Sequence, residues 1–264
     1  FDLLVAIGAW EKHEDLALLR SGFPIRTTDE EERAADEVLQ RAKNENHPLQ
    51  QQLRDPDELL GIRQDLRHLK VYTIDSAATL EIDDGLSVEQ VDDGRHKIWI
   101  HIADPDRWAP RGSELFEAAR RRVTSLYLPT GSVSMFPSRV GSEVMSLKAN
   151  HDAGALSLRV ELNADGSIDA SSIVVTPSVI RVTYRLTYED VDEMLEEGSG
   201  YNEEWELGVL LEAAKKRRRF RIENGSMEGV VLNPIPSASI SVFPDRDAPD
   251  GIGISSTVGV SHNA

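Results

Sequence analysis

The residues best placed to do chemistry are four acids in the stretch VYTIDSAATLEIDDGLSVEQ (71–90): Asp75, Glu81, Asp83 and Asp84. They offer only hard oxygen donors, which leaves three uses open: a solvated acidic turn, a calcium loop, or a cage for magnesium. The calcium loop fails on register. Counting back from Gly85 puts Ile82 and Leu80 at ligand positions and Val91 at the closing one. The other candidate, ELNADGSIDASS, has Glu161, Asn163 and Asp165 before Gly166 but Ser172 where the final glutamate must stand. A magnesium cage is chemically coherent, because Mg²⁺ takes a few carboxylates together with water and substrate phosphate. Asp75 closes one strand-like run and the other three acids open the next, so a loop doubling back could bring them to one centre. Like charges held together call for cations, and two ions roughly 4 Å apart could clamp a phosphodiester. Gly85 would then let the backbone bend close to the site. On these residues alone the solvated turn and the cage both stand.

The rest of the chain limits the alternatives. Its 264 residues are 40% hydrophobic, enough for a packed core, and contain no cysteine. That excludes disulfides, thiolate metal sites and a cysteine nucleophile. No apolar run approaches the ~18 residues of a membrane span, so a soluble protein with no membrane partner is expected. The sequence starts at Phe1 and is read as an excerpt of a longer chain, with any targeting peptide lying outside it. A formal charge of -17 weighs against a generic nucleic-acid binder. Taken alone it suggests an acidic protein-interaction module. Against that stand two basic clusters, ARRR (119–122) and KKRRRFR (215–221). Bound cations would also reverse the local field of the acids.

The elements that must position the acids can be read from periodicity. Thr28 and Glu31 make a capping box opening a helix through DEEERAADEVLQRAKN, and NENHPLQ breaks it. VYTI, LSVEQV and HKIWIHIA read as strands, with DDGR as the turn between the last two. Ser113 caps a helix through ELFEAARRR, TSLYLP is a short strand, and GSVSMFPSRVGSE reads as a loop. ALSLRVELNADGSIDASSIVVTPSVIRVTY reads as a hairpin turning at NADG. Thr187 and Asp190 cap a short helix, and a long amphipathic one follows through KKRRRFR. One or two strands close the chain after VVLNPIP. The irregular order predicts an α+β, mixed α/β fold, with a helical region over 1–68 and the main domain over 69–264. His101, between Ile100 and Ile102, is read as a packed structural histidine. Arg120, Arg121 and Arg122 leave a helix on different faces, so at most one or two can meet a phosphate track.

The segment TIDSAATLEIDDGLS is similar to the metal-binding signature of the ribonuclease II/ribonuclease R (RNB) exoribonuclease family. WIHIADPDRW, GSELFEAARRRVTSLYLPTGSVSMFP, SLKANHDAGALSLRVELNADGSI and TYEDV resemble further family segments, in family order, over roughly residues 69–224. Two positions depart from the pattern: Glu81 stands for the usual second aspartate and Gly85 for the usual alanine. The HLKVY lead-in and the glutamate resemble the organellar and cyanobacterial branch. The resemblance implies an RNB catalytic-domain-like mixed sheet with flanking helices, truncated at the C-terminus and preceded by a helical, winged-helix-like region. It further implies hydrolysis of single-stranded RNA from a free 3′ end to nucleoside 5′-monophosphates by two-metal-ion catalysis with Mg²⁺, or Mn²⁺ in its place. Asp75, Glu81, Asp83 and Asp84 would be the catalytic and metal-binding acids, and Tyr127 the aromatic stacking on a base. The compartment would be the cytoplasm in a bacterium and the chloroplast or mitochondrion in a eukaryote. An arginine that assists cleavage and much of the RNA channel belong to later parts of the family domain, so this chain alone would have little or no activity. The alternative is a non-catalytic RNA-binding or regulatory member of the same fold.

Overall fold

The computed structural model describes residues 1–10, 12, 14–44, 59–91, 94–225, 237–245, 248 and 252–259. Three helices come first: α1 (Asp2–Ala6), α2 (Leu16–Arg20) and α3 (Asp29–Asn44). Strands β1 (Gln64–Asp65), β2 (Val71–Ile74), β3 (Asp84–Gln90) and β4 (His96–Ala103) follow. Next come α4 (Glu114–Arg122), the short pair β5 (Leu126–Leu128) and β6 (Gly131–Val133), and α5 (Ser138–Glu143). The long strands β7 (Asp152–Glu161) and β8 (Val174–Leu186) lead to α6 (Tyr188–Glu197) and α7 (Trp205–Asn224). A separate two-stranded pair, β9 (Ser237–Pro244) and β10 (Ile252–Gly259), ends the described chain. The fold is mixed α/β, as expected.

β8 organises the sheet because it is long enough to serve two partners on different stretches. It runs antiparallel to β7 from Arg159↔Val174 to Asp152↔Arg181, and parallel to β2 from Val71↔Val182 to Ile74↔Leu186. With β2–β3, β3–β4 and β4–β7 all antiparallel, the order β8-β2-β3-β4-β7 closes on itself as a small barrel. β1 pairs with β8 at Gln64↔Ser178, so the sheet begins on the N-terminal side of residue 68. Side chains alternate across each strand, and the inward set includes Val71, Trp99, Ala103, Ala155, Ile180 and Val182. Gly85 belongs to this interior. A Cβ there would stand 2.9 Å from Val71 Cγ1, so the missing side chain lets β2 and β3 pack inside the barrel rather than bringing the backbone to a ligand.

The barrel interior also holds a chain of hydroxyls around the fully buried His101. Its Nε2 lies 2.8 Å from Ser87 Oγ, and its Nδ1 2.7 Å from Ser157 Oγ, which in turn meets Ser178 Oγ at 2.6 Å. One residue from each of four strands is thus joined by polar contacts, which is how a buried imidazole is accommodated in this core. The structural reading of His101 is the one this geometry supports.

The hairpin after β7 is longer than a turn at NADG alone. Gly166 adopts φ 86 there, and a 3-10 turn at Ala170–Ser172 intervenes before β8. The stretch GSVSMFPSRVGSE, read as a loop, forms β6 and α5. Its serines are poor helix signals, and packing of Val140 against Ala35, Val38 and Leu115 decides the outcome. α7 is also not amphipathic along its length. Its buried residues are Glu206, Leu207 and Gly208, all in the first turns, where Tyr72 donates to Glu206 from the barrel wall (3.1 Å). The expected breaks at NENHPLQ and Asp92-Asp93 fall largely outside the described residues.

The N-terminal part is fastened by charge. Thr28 Oγ1 accepts from the Glu31 backbone N–H (3.2 Å), and the Thr28 backbone N–H bonds in return to the Glu31 carboxylate, as expected of a capping box. The Glu31 side chain also pairs with Arg122 (2.8 Å) and Arg121 (3.0 Å) of α4. Burial pushes the Glu31 carboxyl up, and the two guanidinium groups outweigh it, holding the group below its ordinary value. Arg122 also donates to the carbonyls of Pro24 and Arg26 and is itself buried. Two of the three arginines considered for a phosphate track are therefore structural ties, and Arg120 pairs with Glu117 on the surface.

Burial lowers the His101 pKa to about 4, whereas an unfolded histidine titrates near 6.5. Its stabilising contribution is complete above the unfolded value and is lost as pH falls toward 4, by up to roughly 3 kcal/mol. Denaturant titrations from pH 7 to pH 4 should show a shallower loss of stability in His101→Gln than in the parent.

Candidate active site

The acidic segment is a loop pinned at both ends and in its middle. Asp75 follows β2 directly and its backbone N–H donates to Leu186 O (3.1 Å). Asp83 O accepts from Ala103 N (2.7 Å), which fixes the start of β3 against the end of β4. Between them Ile82 inserts its side chain into the barrel core. Its N–H donates to Ser146 Oγ (2.8 Å) and its carbonyl accepts from Leu147 N (2.9 Å). With Ile82 facing in, Glu81 and Asp83 on either side are turned away from the core. Arg185 of β8 donates to Thr79 O (2.6 Å) and braces the loop from outside.

The loop brings Asp75, Asp83 and Asp84 into one electrostatic group. Burial pushes the Asp83 carboxyl up, and the charges of Asp84 and Asp75 push it further. Asp75 is raised by burial and by Asp84, against the pull of Arg185. Asp75 Oδ2 is buried and has no hydrogen-bond partner. Glu81 is set apart. Burial raises its pKa, a hydrogen bond from Ser134 opposes the rise, and only Asp83 among the other acids adds to it. Among the described residues no three acids or histidines stand close enough to enclose a metal ion in this arrangement. The donor chemistry nevertheless fits one: oxygen donors alone, mutual repulsion without matching cations, and an orphaned carboxylate oxygen.

Beside the loop lies a cleft of about 880 Å³, lined by Leu80, Glu81, Tyr127, Ser132, Ser134 and Arg139 among others. Tyr127 sits in β5, and 80% of it is exposed, so its ring face is free for a ligand at the cleft edge. Ser134, Arg185 and Gly141 were not foreseen from the sequence. The first and last lie in the stretch read as a loop, and Arg185 in a strand whose outward residues carried no signal.

The RNB domain family model matches residues 63–255. The chain belongs to the RNB family. It is 43% identical over 246 residues to an uncharacterized ribonuclease of Synechocystis sp., covering 93% of this chain and 34% of that protein. To ribonuclease II, chloroplastic/mitochondrial, of Arabidopsis thaliana it is 40% identical over 231 residues, 88% of this chain and 27% of that one. The chain thus spans about a third or less of the curated relatives it matches. Among solved structures, Mycoplasma genitalium RNase R in complex with ribose methylated single-stranded RNA superposes with a TM-score of 0.64 at 20% identity. That likeness covers 88% of this chain and 34% of the other, and concerns the fold. The RNB match starts at residue 63, where Arg63 forms an ion pair with Asp104 (2.5 Å) just before β1. Among the described residues no helix is long and apolar enough to cross a membrane.

A raised carboxyl pKa means that ionisation opposes folding. The penalty is absent below the unfolded pKa and grows as pH rises through the folded one. Asp83→Asn should therefore raise the melting temperature of the metal-free protein at pH 7, by about 2–4 °C for each kcal/mol relieved. The gain should vanish when the melt is repeated below the unfolded aspartate pKa of about 3.9.

Proposed function

We propose that the protein containing this chain is a metal-dependent 3′-to-5′ exoribonuclease. It hydrolyses single-stranded RNA with a free 3′ end to nucleoside 5′-monophosphates, by two-metal-ion catalysis with Mg²⁺ or Mn²⁺. The observation that carries this reading is the pinned loop, beside an open cleft, on which the charge of Asp84 raises the pKa of Asp75 and Asp83 and that of Asp75 adds to the rise at Asp83. A fold that keeps like charges together without matching cations is prepared for cations from outside. The RNB relatives, named as ribonucleases, support the reaction class.

Asp75, Asp83 and Asp84 would hold the metal, with Glu81 at the margin of the set. Bound there, the ions supply Lewis-acid activation of water and neutralise charge on the scissile phosphate. The chain's own residues do the rest. Tyr127 stacks on a base near the 3′ end without demanding a sequence, since every base has a π-face. The hydroxyls of Ser132 and Ser134 line the cleft where sugar and phosphate oxygens would lie. Arg185 keeps the Asp75 end of the loop in place through Thr79. The cyanobacterial and organellar relatives are consistent with bacterial cytoplasm, or with a chloroplast or mitochondrion.

One observation favours the non-catalytic alternative: Glu81 is drawn to Ser134 instead of closing the acidic group. The test is made with the full-length protein, Mg²⁺ and a 3′-accessible RNA. The parent should release mononucleotides, and Asp84→Asn should reduce kcat at least about a hundredfold with RNA still bound. Intact RNA with the parent would overturn the exonuclease reading in favour of the binding one. Tyr127→Ala should weaken RNA affinity by a factor of roughly 5–150, the equivalent of one lost stack, in a filter-binding assay.

A further inference from the structure

A glutamate carries its carboxylate one methylene farther from the backbone than an aspartate. At position 81 that extra reach cannot be taken up by the main chain, because the next residue is locked. Ile82 is buried in the core and is held through both its N–H and its carbonyl. The far end of the side chain must therefore be accommodated by whatever it meets, and it meets Ser134 and Gly141. A Cβ built on Gly141 would stand 2.5 Å from Glu81 Oε1 and 3.0 Å from its carboxyl carbon, and the three nearest atoms are all Glu81's. Gly141 lies inside α5, is buried, and is not among the residues of positive φ. Its backbone does not need glycine, and a glycine inside a helix is ordinarily less favourable than an alanine. The atoms a Cβ would meet are the far end of a flexible side chain, so an alanine here would displace the Glu81 carboxylate at little cost to the helix.

We propose that Gly141 and Ser134 form a notch that sets where the Glu81 carboxylate lies relative to Asp83, so that residues 81 and 141 function as a matched pair. The notch removes the Cβ that would push the longer arm back, and the Ser134 hydroxyl, donating to the carboxylate, fixes its direction. Both are positioning residues, and they act through Glu81. The inference rests on the reading of the four acids as a metal site only for its functional consequence; the steric match is independent of it.

The test is a double-mutant cycle in the full-length protein with Gly141→Ala, Glu81→Asp and the combination, read in three ways. In the melting temperature without metal, Gly141→Ala should give a smaller gain in the parent than in the Glu81→Asp background, because the methyl must first displace the Glu81 carboxylate. It should give the usual helix gain in the Glu81→Asp background, where the shorter arm clears the new methyl. Mn²⁺ binding without RNA, followed by the EPR signal of the free ion, should weaken on the order of tenfold for Gly141→Ala in the parent and remain unchanged in that background. The kcat for RNA should follow the same pattern with KM unmoved. Equal effects of Gly141→Ala in both backgrounds on melting and on Mn²⁺ would overturn the notch, as would failure of both Gly141→Ala proteins to fold. If the parent does not cleave RNA, the proposed function falls, while the melting cycle still decides the notch.

Discussion

The charge of Asp84 bears on both Asp75 and Asp83, and holding these three acids on one short loop is the constraint that the neighbouring strands must meet. Left to themselves, three carboxylates on one short segment would spread into solvent. Here they are prevented from doing so by backbone hydrogen bonds at each end of the loop and by one apolar side chain driven into the core between them. The hydrogen bonds come from β8 and β4, so closure of the sheet and containment of the charge are the same event. β8 makes this possible by being long: its first stretch closes the barrel on β7, and its last stretch presents Leu186 and Arg185 to the acidic loop.

Much of this was legible in the sequence because local signals and tertiary demands agree there. Strands β2, β3 and β4 carry β-branched and aromatic residues, and Ser113 and Thr187 cap the helices that they precede. Residue type and spacing single out the four acids but leave a solvated turn and a cage both standing, and Tyr127 is singled out only by the family resemblance of its segment. What was hidden depends on long-range partners. Glu31 reads as half of a capping box, yet a buried guanidinium ninety-one residues away is the stronger partner. Helix α5 is built from residues of poor helical propensity and exists because Val140 fills a space between α3 and α4. Gly85 reads as a hinge toward a ligand, whereas its neighbours across the strand explain it.

The charge of -17 also takes on a different meaning once the basic residues are located. Arg63 and Arg122 are buried against carboxylates, and Arg217 donates to Gly166 O from the side of α7. These cations hold helices and loops to the barrel, whereas Arg185, braced on Thr79 O, pulls on Asp75 in the acidic loop. The surface keeps exposed arginines at 218, 219 and 221 on the far half of α7, remote in sequence from the acids they might otherwise neutralise.

Ile82 ties two inventories of mutations that are usually kept apart. Because Ile82 belongs to the barrel core and its two neighbours are candidate acids of the site, a change that resizes the packing around Leu66, Trp99, Leu147 or Val182 acts on the segment that carries Glu81 and Asp83. Packing variation that another fold would absorb silently is here converted into altered carboxylate placement. Sequence drift in the core is thereby filtered by the demands of the site, and the interior of this barrel should diverge more slowly than its burial alone would require.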